Sequence, residues 1–158
     1  MMGLFMEEIT LDDLVALGSY SFGVENMLAY SRKFDPVGFH VDDAAGKASV
    51  YGAMTAAGLH VGCGWMACFI ERNTAARDAL EAVGKQLPEI GPSPGFKNMR
   101  WLKPVFAGDT LHYFTTATAK RPLASRPGWG IVSGYNEGMN QHGELVFSFE
   151  SAVLTARF

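Results

Sequence analysis

The chain is predicted to be an α+β protein, with its helices gathered on one face of an antiparallel sheet. Three features of the 158-residue sequence carry this. Residues 53–70 contain one clearly polar, ionisable side chain, His60, among apolar and small residues, which suits a long buried helix. From residue 96 onward, segments rich in Thr, Tyr, Phe and Val are separated by turn-forming residues, the pattern of successive strands. The order along the chain is one strand, then helices, then a run of strands. A curved sheet clasping the long small-residue helix satisfies all three.

The elements follow in order. Residues 14–23 mix apolar side chains with Ser and Tyr and read as a first strand. A short helix opens at Val24-Glu25-Asn26 and is ended by Pro36, which disfavours helical backbone for Asp35 before it. Asp42 is a plausible N-cap for a second short helix reaching Ala48. The long apolar helix is expected over residues 55–72, with polar turns continuing to Leu80. Residues 84–95 hold three prolines and three glycines and mark a loop. Strands are expected over residues 96–105, 110–120, 129–136 and 144–155, the last with Val146, Ser148 and Glu150 alternating against Phe147, Phe149 and Ser151. No repeat or linker divides the chain, so residues 1–158 are read as one domain.

Composition narrows the function class. At 48% hydrophobic and 18% charged residues the chain has enough apolar material for a packed core and too much for disorder. A net charge of −3 lacks the overall basic footprint of a nucleic-acid-binding protein. The first ten residues carry Glu7 and Glu8 and no basic region, unlike a signal peptide. Residues 53–70 approach the length of a membrane span, but Gly58, Gly62 and Gly64 interrupt them and no second such segment exists, so a buried helix is expected and no membrane association. Cys63 and Cys68 are read as buried, reduced thiols of a cytoplasmic protein.

The most informative run is Phe34-Asp35-Pro36-Val37-Gly38-Phe39-His40-Val41-Asp42. It sets a carboxylate and an imidazole five residues apart on a turn. Such a pair, sharing one water molecule, is able to move its protons. Spacing alone favours the blander arrangement, in which Asp35 bonds local backbone and His40 is a capping or core histidine. A second run, Tyr51-Gly52-Ala53-Met54-Thr55-Ala56-Ala57-Gly58-Leu59-His60, leads into the long helix, whose first N–H groups have no partners within it. Gly58 would let a carbonyl oxygen approach such an N–H closely, as an oxyanion site requires; it would equally serve close helix–sheet packing. His60 is expected to be a satisfied buried histidine. A third run, residues 98–111, carries Arg100 and Lys103 beside Lys97, with Arg121 and Arg126 further on. These suit nucleotide phosphates or a plain solvated surface.

Together these runs resemble the MaoC-like dehydratase family, which includes the R-specific enoyl-CoA hydratases. The resemblance rests on Asp35-Pro36-Val37-Gly38-Phe39-His40-Val41-Asp42, Ala57-Gly58, Pro104-Val105-Phe106-Ala107-Gly108-Asp109-Thr110-Leu111 and Asn140-Gln141-His142-Gly143-Glu144, in family order. The departures are Phe34, Val37 and Gly38, where the better-known signature has Gly, Asn and Pro. The resemblance implies a hot-dog fold, pairing into a homodimer or higher homo-oligomer, and a place in fatty acid metabolism. It implies reversible hydration of a trans-2-enoyl thioester to a 3-hydroxyacyl thioester. Asp35 and His40 would activate the water and the Gly58 N–H would receive the thioester oxygen. Arg100, Lys103 and Arg126 would meet the phosphates of coenzyme A. Coenzyme A enters as part of the acyl-CoA substrate, with no metal and no further cofactor. Phe39, Tyr51, Met54 and Trp65 would shape an acyl pocket. The alternatives are a hot-dog acyl-CoA thioesterase, against which His40 argues, and a non-catalytic acyl-thioester binder or partner subunit, against which the retained Asp–His pair argues.

Overall fold

The computed structural model describes residues 3–89 and 91–158. After a 3₁₀ turn (Met6–Glu8) come β1 (Leu14–Ser21), α1 (Val24–Phe34), α2 (Gly38–Val41), α3 (Asp43–Ala48) and the long helix α4 (Gly58–Ala82). Four strands follow: β2 (Gly95–Trp101), β3 (Thr110–Pro122), β4 (Trp129–Met139) and β5 (Leu145–Ala156). The sheet runs β1-β3-β4-β5-β2, antiparallel throughout and not closed, so β1 and β2 are its edges. This is the hot-dog arrangement, a curved sheet holding one long helix.

At Gly64 the helix presents a small residue to large ones on the strands. A Cβ on Gly64 would lie 2.9 Å from the Tyr113 hydroxyl and 3.2 Å from the Tyr20 ring, so glycine is what lets α4 settle onto β1 and β3. The Tyr113 hydroxyl donates to the Val61 carbonyl at 2.7 Å, and burial pushes that phenol far up from its ordinary value. Phe22, Leu111, Tyr113, Phe147 and Phe149 are fully buried around this contact. Each such side chain contributes on the order of 1.5–3 kcal/mol of transfer free energy. Trp65 and Met54 belong to this core, and neither lines the hollow beside His40.

Several boundaries depart from the sequence reading. The long helix begins at Gly58, three residues later than expected, because Thr55 forms an antiparallel bridge with Phe106 and the Ala56 N–H donates to the Val105 carbonyl at 2.8 Å. The sheet clasps one side of α4 only. Leu59, Cys63, Met66 and Ile70 lie on its open side, and the expectation that both cysteines are buried holds for Cys68 alone. Strand β2 ends at Trp101, where the Leu102 N–H turns to the Val146 carbonyl at 2.8 Å ahead of Pro104. In β5 the expected alternation gives way to burial of four consecutive residues, Val146 to Phe149. No helix among the described residues is long and apolar enough to cross a membrane.

Candidate active site

Asp35 and His40 are brought together by the way α1 stops. The Asp35 N–H makes the last helical bond, to the Ser31 carbonyl at 2.9 Å, while its own backbone has already left the helix at φ −153°, ψ 70°. Pro36 has no N–H with which to continue. The single turn α2 then places His40, and Asp42 caps α3 by accepting from the Ala45 N–H at 2.7 Å. Gly46 lets α3 seat on the following segment, since a Cβ there would stand 2.5 Å from the Met54 nitrogen. The excursion between α1 and α4 is thus pinned at both ends.

His40 is buried and its ring is oriented by Thr55. Nδ1 lies 2.8 Å from the Thr55 carbonyl oxygen and 3.3 Å from Thr55 Oγ1. A carbonyl only accepts, so Nδ1 carries the hydrogen, and in the neutral ring Nε2 is left with its lone pair. Nε2 faces Asp35, 3.7 Å from Oδ2. That separation is too long for a direct hydrogen bond and is within the span that one water molecule bonded to both groups would bridge. The Asp35 side chain is 41% exposed, so solvent reaches it.

His40 also lines a cleft of about 330 Å³ with Phe39, Tyr51, Thr55, Gly58, Trp101 and Lys103. Gly58 is the first residue of α4, where no carbonyl four residues earlier accepts its N–H. The imidazole, a helix N-terminus and a lysine therefore share one hollow. A larger groove of about 630 Å³ lies elsewhere, over strands β3, β4, β5 and β2, and contains neither Asp35 nor His40. Size alone is a poor guide here, because the smaller cleft holds His40, the start of α4 and Lys103, while Asp35 stands against His40 outside the residues that line it.

Of the three basic residues singled out from the sequence, the structure brings one to the cleft. Lys103 lines it and pairs with Glu144, whose carboxyl is held below its ordinary value by hydrogen bonds from Lys103 and then Asn140. Arg100 is exposed on β2 and, by strand alternation, faces away from its neighbour Trp101, which lines the cleft. Arg126 follows the far end of β3, a 13-residue strand about 40 Å long. Its guanidinium lies 4.5 Å from the centre of the Trp129 ring. Within one chain, neither arginine joins the cleft. Among the described residues, no three His, Cys, Asp or Glu side chains stand together as a metal site.

Two participants were not evident from the sequence. Thr55 orients His40 across 15 positions, which no local motif announces. Trp101 sits in a motif noted for its basic residues, but its indole N–H donates to the Gly58 carbonyl at 2.7 Å. His60 is not part of this cleft. It stacks on Tyr30 with ring centres 4.5 Å apart, its Nε2 is 3.2 Å from the Tyr20 hydroxyl, and its buried Nδ1 has no partner. The expected satisfied histidine is therefore only half satisfied, and burial lowers its pKa below the ordinary 6.5.

The chain superimposes on a MaoC-like dehydratase from Rhodospirillum rubrum with a TM-score of 0.80 and 30% identity, covering 99% of both chains. This chain belongs to the MaoC-like dehydratase family. An R-hydratase from Pseudomonas aeruginosa shares the fold, with a TM-score of 0.71 at 17% identity over 99% of this chain and 88% of that one. A curated relative, the mesaconyl-CoA hydratase of Cereibacter sphaeroides, is 36% identical over 78 residues, 47% of this chain and 22% of that protein. The present chain thus spans about a fifth of that relative's length. No protein-family model matches the chain. Membership in a family of hydratases and dehydratases gives the cleft a chemical context.

Proposed function

We propose that the chain catalyses the reversible addition of water to a trans-2-enoyl thioester, giving a 3-hydroxyacyl thioester, at the cleft between His40 and Gly58. The observation that carries this reading is the orientation of His40, with Nδ1 committed to Thr55 and Nε2 turned to the Asp35 carboxylate at 3.7 Å. In this reading a water lies between them. Asp35 accepts one of its hydrogens and directs its lone pair, while Nε2 takes the other proton as oxygen bonds to C3. The C2–C3 π electrons move towards the thioester carbonyl, whose oxygen receives the Gly58 N–H. Collapse of that enolate takes a proton at C2, supplied from the imidazolium. The thioester is the electron sink, so the chemistry calls for no metal or redox cofactor.

Coenzyme A is the proposed carrier, with Lys103 near its phosphates; the sequence assignments of Arg100 and Arg126 to that role find no support in the cleft of a single chain. A homodimer or higher homo-oligomer is proposed as well. Its support is the open edge of β2 and the apolar side of α4 bearing Leu59, Met66 and Ile70. A cytoplasmic setting goes with this reading.

Loss of the conjugated-thioester absorbance of crotonyl-CoA, compared between wild type and Asp35→Asn, tests the activity. Loss in the wild type alone is expected. Release of free thiol instead would replace the reading with a thioesterase. Binding without either change, across straight and branched enoyl thioesters, would replace it with a binding role.

A further inference from the structure

We propose that Trp101 is the specificity-determining wall of the cleft and the positioning residue for the first turn of α4; this rests on the hydratase reading of the same cleft. Trp101 is the last residue of the edge strand β2 and the bulkiest side chain lining the hollow. Its indole packs against the glycine at the helix start. A Cβ on residue 58 would meet Cε2 at 3.0 Å and Nε1 at 3.1 Å, so the ring occupies the space a side chain at 58 would take. The indole N–H donates to the Gly58 carbonyl at 2.7 Å, tying β2 to α4 across 43 residues. The peptide held this way is the one that follows Gly58, adjoining the N–H proposed to receive the thioester oxygen.

Two consequences separate the wall from the tether. As a wall, the ring closes the cleft at about 330 Å³ together with Phe39 and Tyr51, and so selects a short acyl group. As a tether, the N–H fixes the backbone at the point where charge would develop, which affects turnover more than binding. Trp101 is 46% exposed, so replacing it opens the cleft outward without hollowing the core.

The experiment compares wild type, Trp101→Phe and Trp101→Ala with crotonyl-CoA and trans-2-hexenoyl-CoA, after circular dichroism shows the variants folded. Trp101→Phe is expected to lower kcat roughly tenfold with KM and the length preference retained, since the wall stays and the N–H goes. Trp101→Ala is expected to lower kcat similarly and also to shift the four- to six-carbon kcat/KM ratio by about tenfold or more towards the longer chain. An unchanged ratio in Trp101→Ala overturns the wall, and an unchanged kcat in Trp101→Phe overturns the tether. If the wild type hydrates neither thioester, the hydratase reading has failed, and the wall is judged by binding of butyryl-CoA and hexanoyl-CoA. Discrimination in the wild type that Trp101→Ala loses then supports it; equal discrimination in both overturns it.

Discussion

His40 Nδ1 lies 2.8 Å from the Thr55 carbonyl oxygen, and that contact leaves Nε2 as the ring nitrogen turned to Asp35. The donor goes to the backbone, and the bare nitrogen goes to the side where Asp35 stands.

Removing either member of this pair is expected to lower turnover about 10²–10⁴-fold. Asp35→Asn keeps the shape of a half-exposed side chain, so its melting temperature should stay close to that of the wild type. His40→Ala removes a buried ring as well and should cost some stability. Steady-state hydration kinetics beside thermal melts check both, and full turnover in either variant would remove the pair from the mechanism.

Gly58→Ala places a methyl carbon 3.0 Å from the Trp101 ring. Overpacking of this kind costs about 1–3 kcal/mol. Adding Trp101→Ala should recover most of that stability, because the clash is with the indole. A double-mutant cycle of denaturant unfolding measures the coupling; additive effects would mean that the two residues do not press on one another.

Lys103→Ala is expected to raise KM for a CoA thioester about tenfold while largely sparing kcat, if its ammonium meets a phosphate. The wild-type KM should rise with added salt, and the variant's should rise less. Lys47→Ala, which removes an exposed cation paired with Asp43 on α3, serves as the control. Initial rates across a range of salt concentrations decide it.

His60 makes stability depend on pH. Its folded-state pKa is lowered by burial from the ordinary 6.5. Above that value the ring is neutral in folded and unfolded chains alike, and its contribution is constant. As the pH falls below about 6.5, the unfolded chain takes up a proton that the folded chain resists, so stability is lost in that window. His60→Phe should flatten this acid limb while weakening the contact with Tyr20. Urea unfolding from pH 5 to 8 measures the slope, and an unchanged slope would assign the acid limb to other groups.

Gly46→Ala tests how the excursion over the cleft is seated. The new Cβ would stand 2.5–2.8 Å from backbone atoms of Ala53 and Met54, which cannot rotate away as a side-chain end would. A loss of roughly 1–3 kcal/mol or more is expected, with turnover falling because residues 53–57 carry Thr55 and lead into Gly58. Thermal melts and hydration rates together check it.

Much of this was legible in the residues. Apolar and small side chains over residues 53–70 announced a helix to be held by a sheet, and turn-separated segments rich in Thr, Tyr and Phe announced the strands. Pro36 located the end of α1, and with it the turn that carries Asp35 and His40. These are local determinants: backbone restriction by proline, capping by Asp42 and periodic burial all act within a few residues. The Asp–His spacing marked a candidate pair, but left it open whether the pair was chemical or structural.

What only the tertiary structure decided depends on contacts between distant segments. Thr55 belongs to a bridge with Phe106 rather than to the helix, and from there it sets the orientation of His40. Trp101 reaches Gly58 because β2 is an edge strand beside the start of α4. Lys103 comes to the cleft while Arg126 lies beyond the far end of a long strand, although both read alike as basic residues near turns. Cys63 and Cys68 lie on the same apolar helix, yet one is exposed and one buried, since the sheet covers only one side of it. Sequence patterns report local preference; which partner occupies a helix end, a ring nitrogen or a helix face is set by packing across the whole sheet.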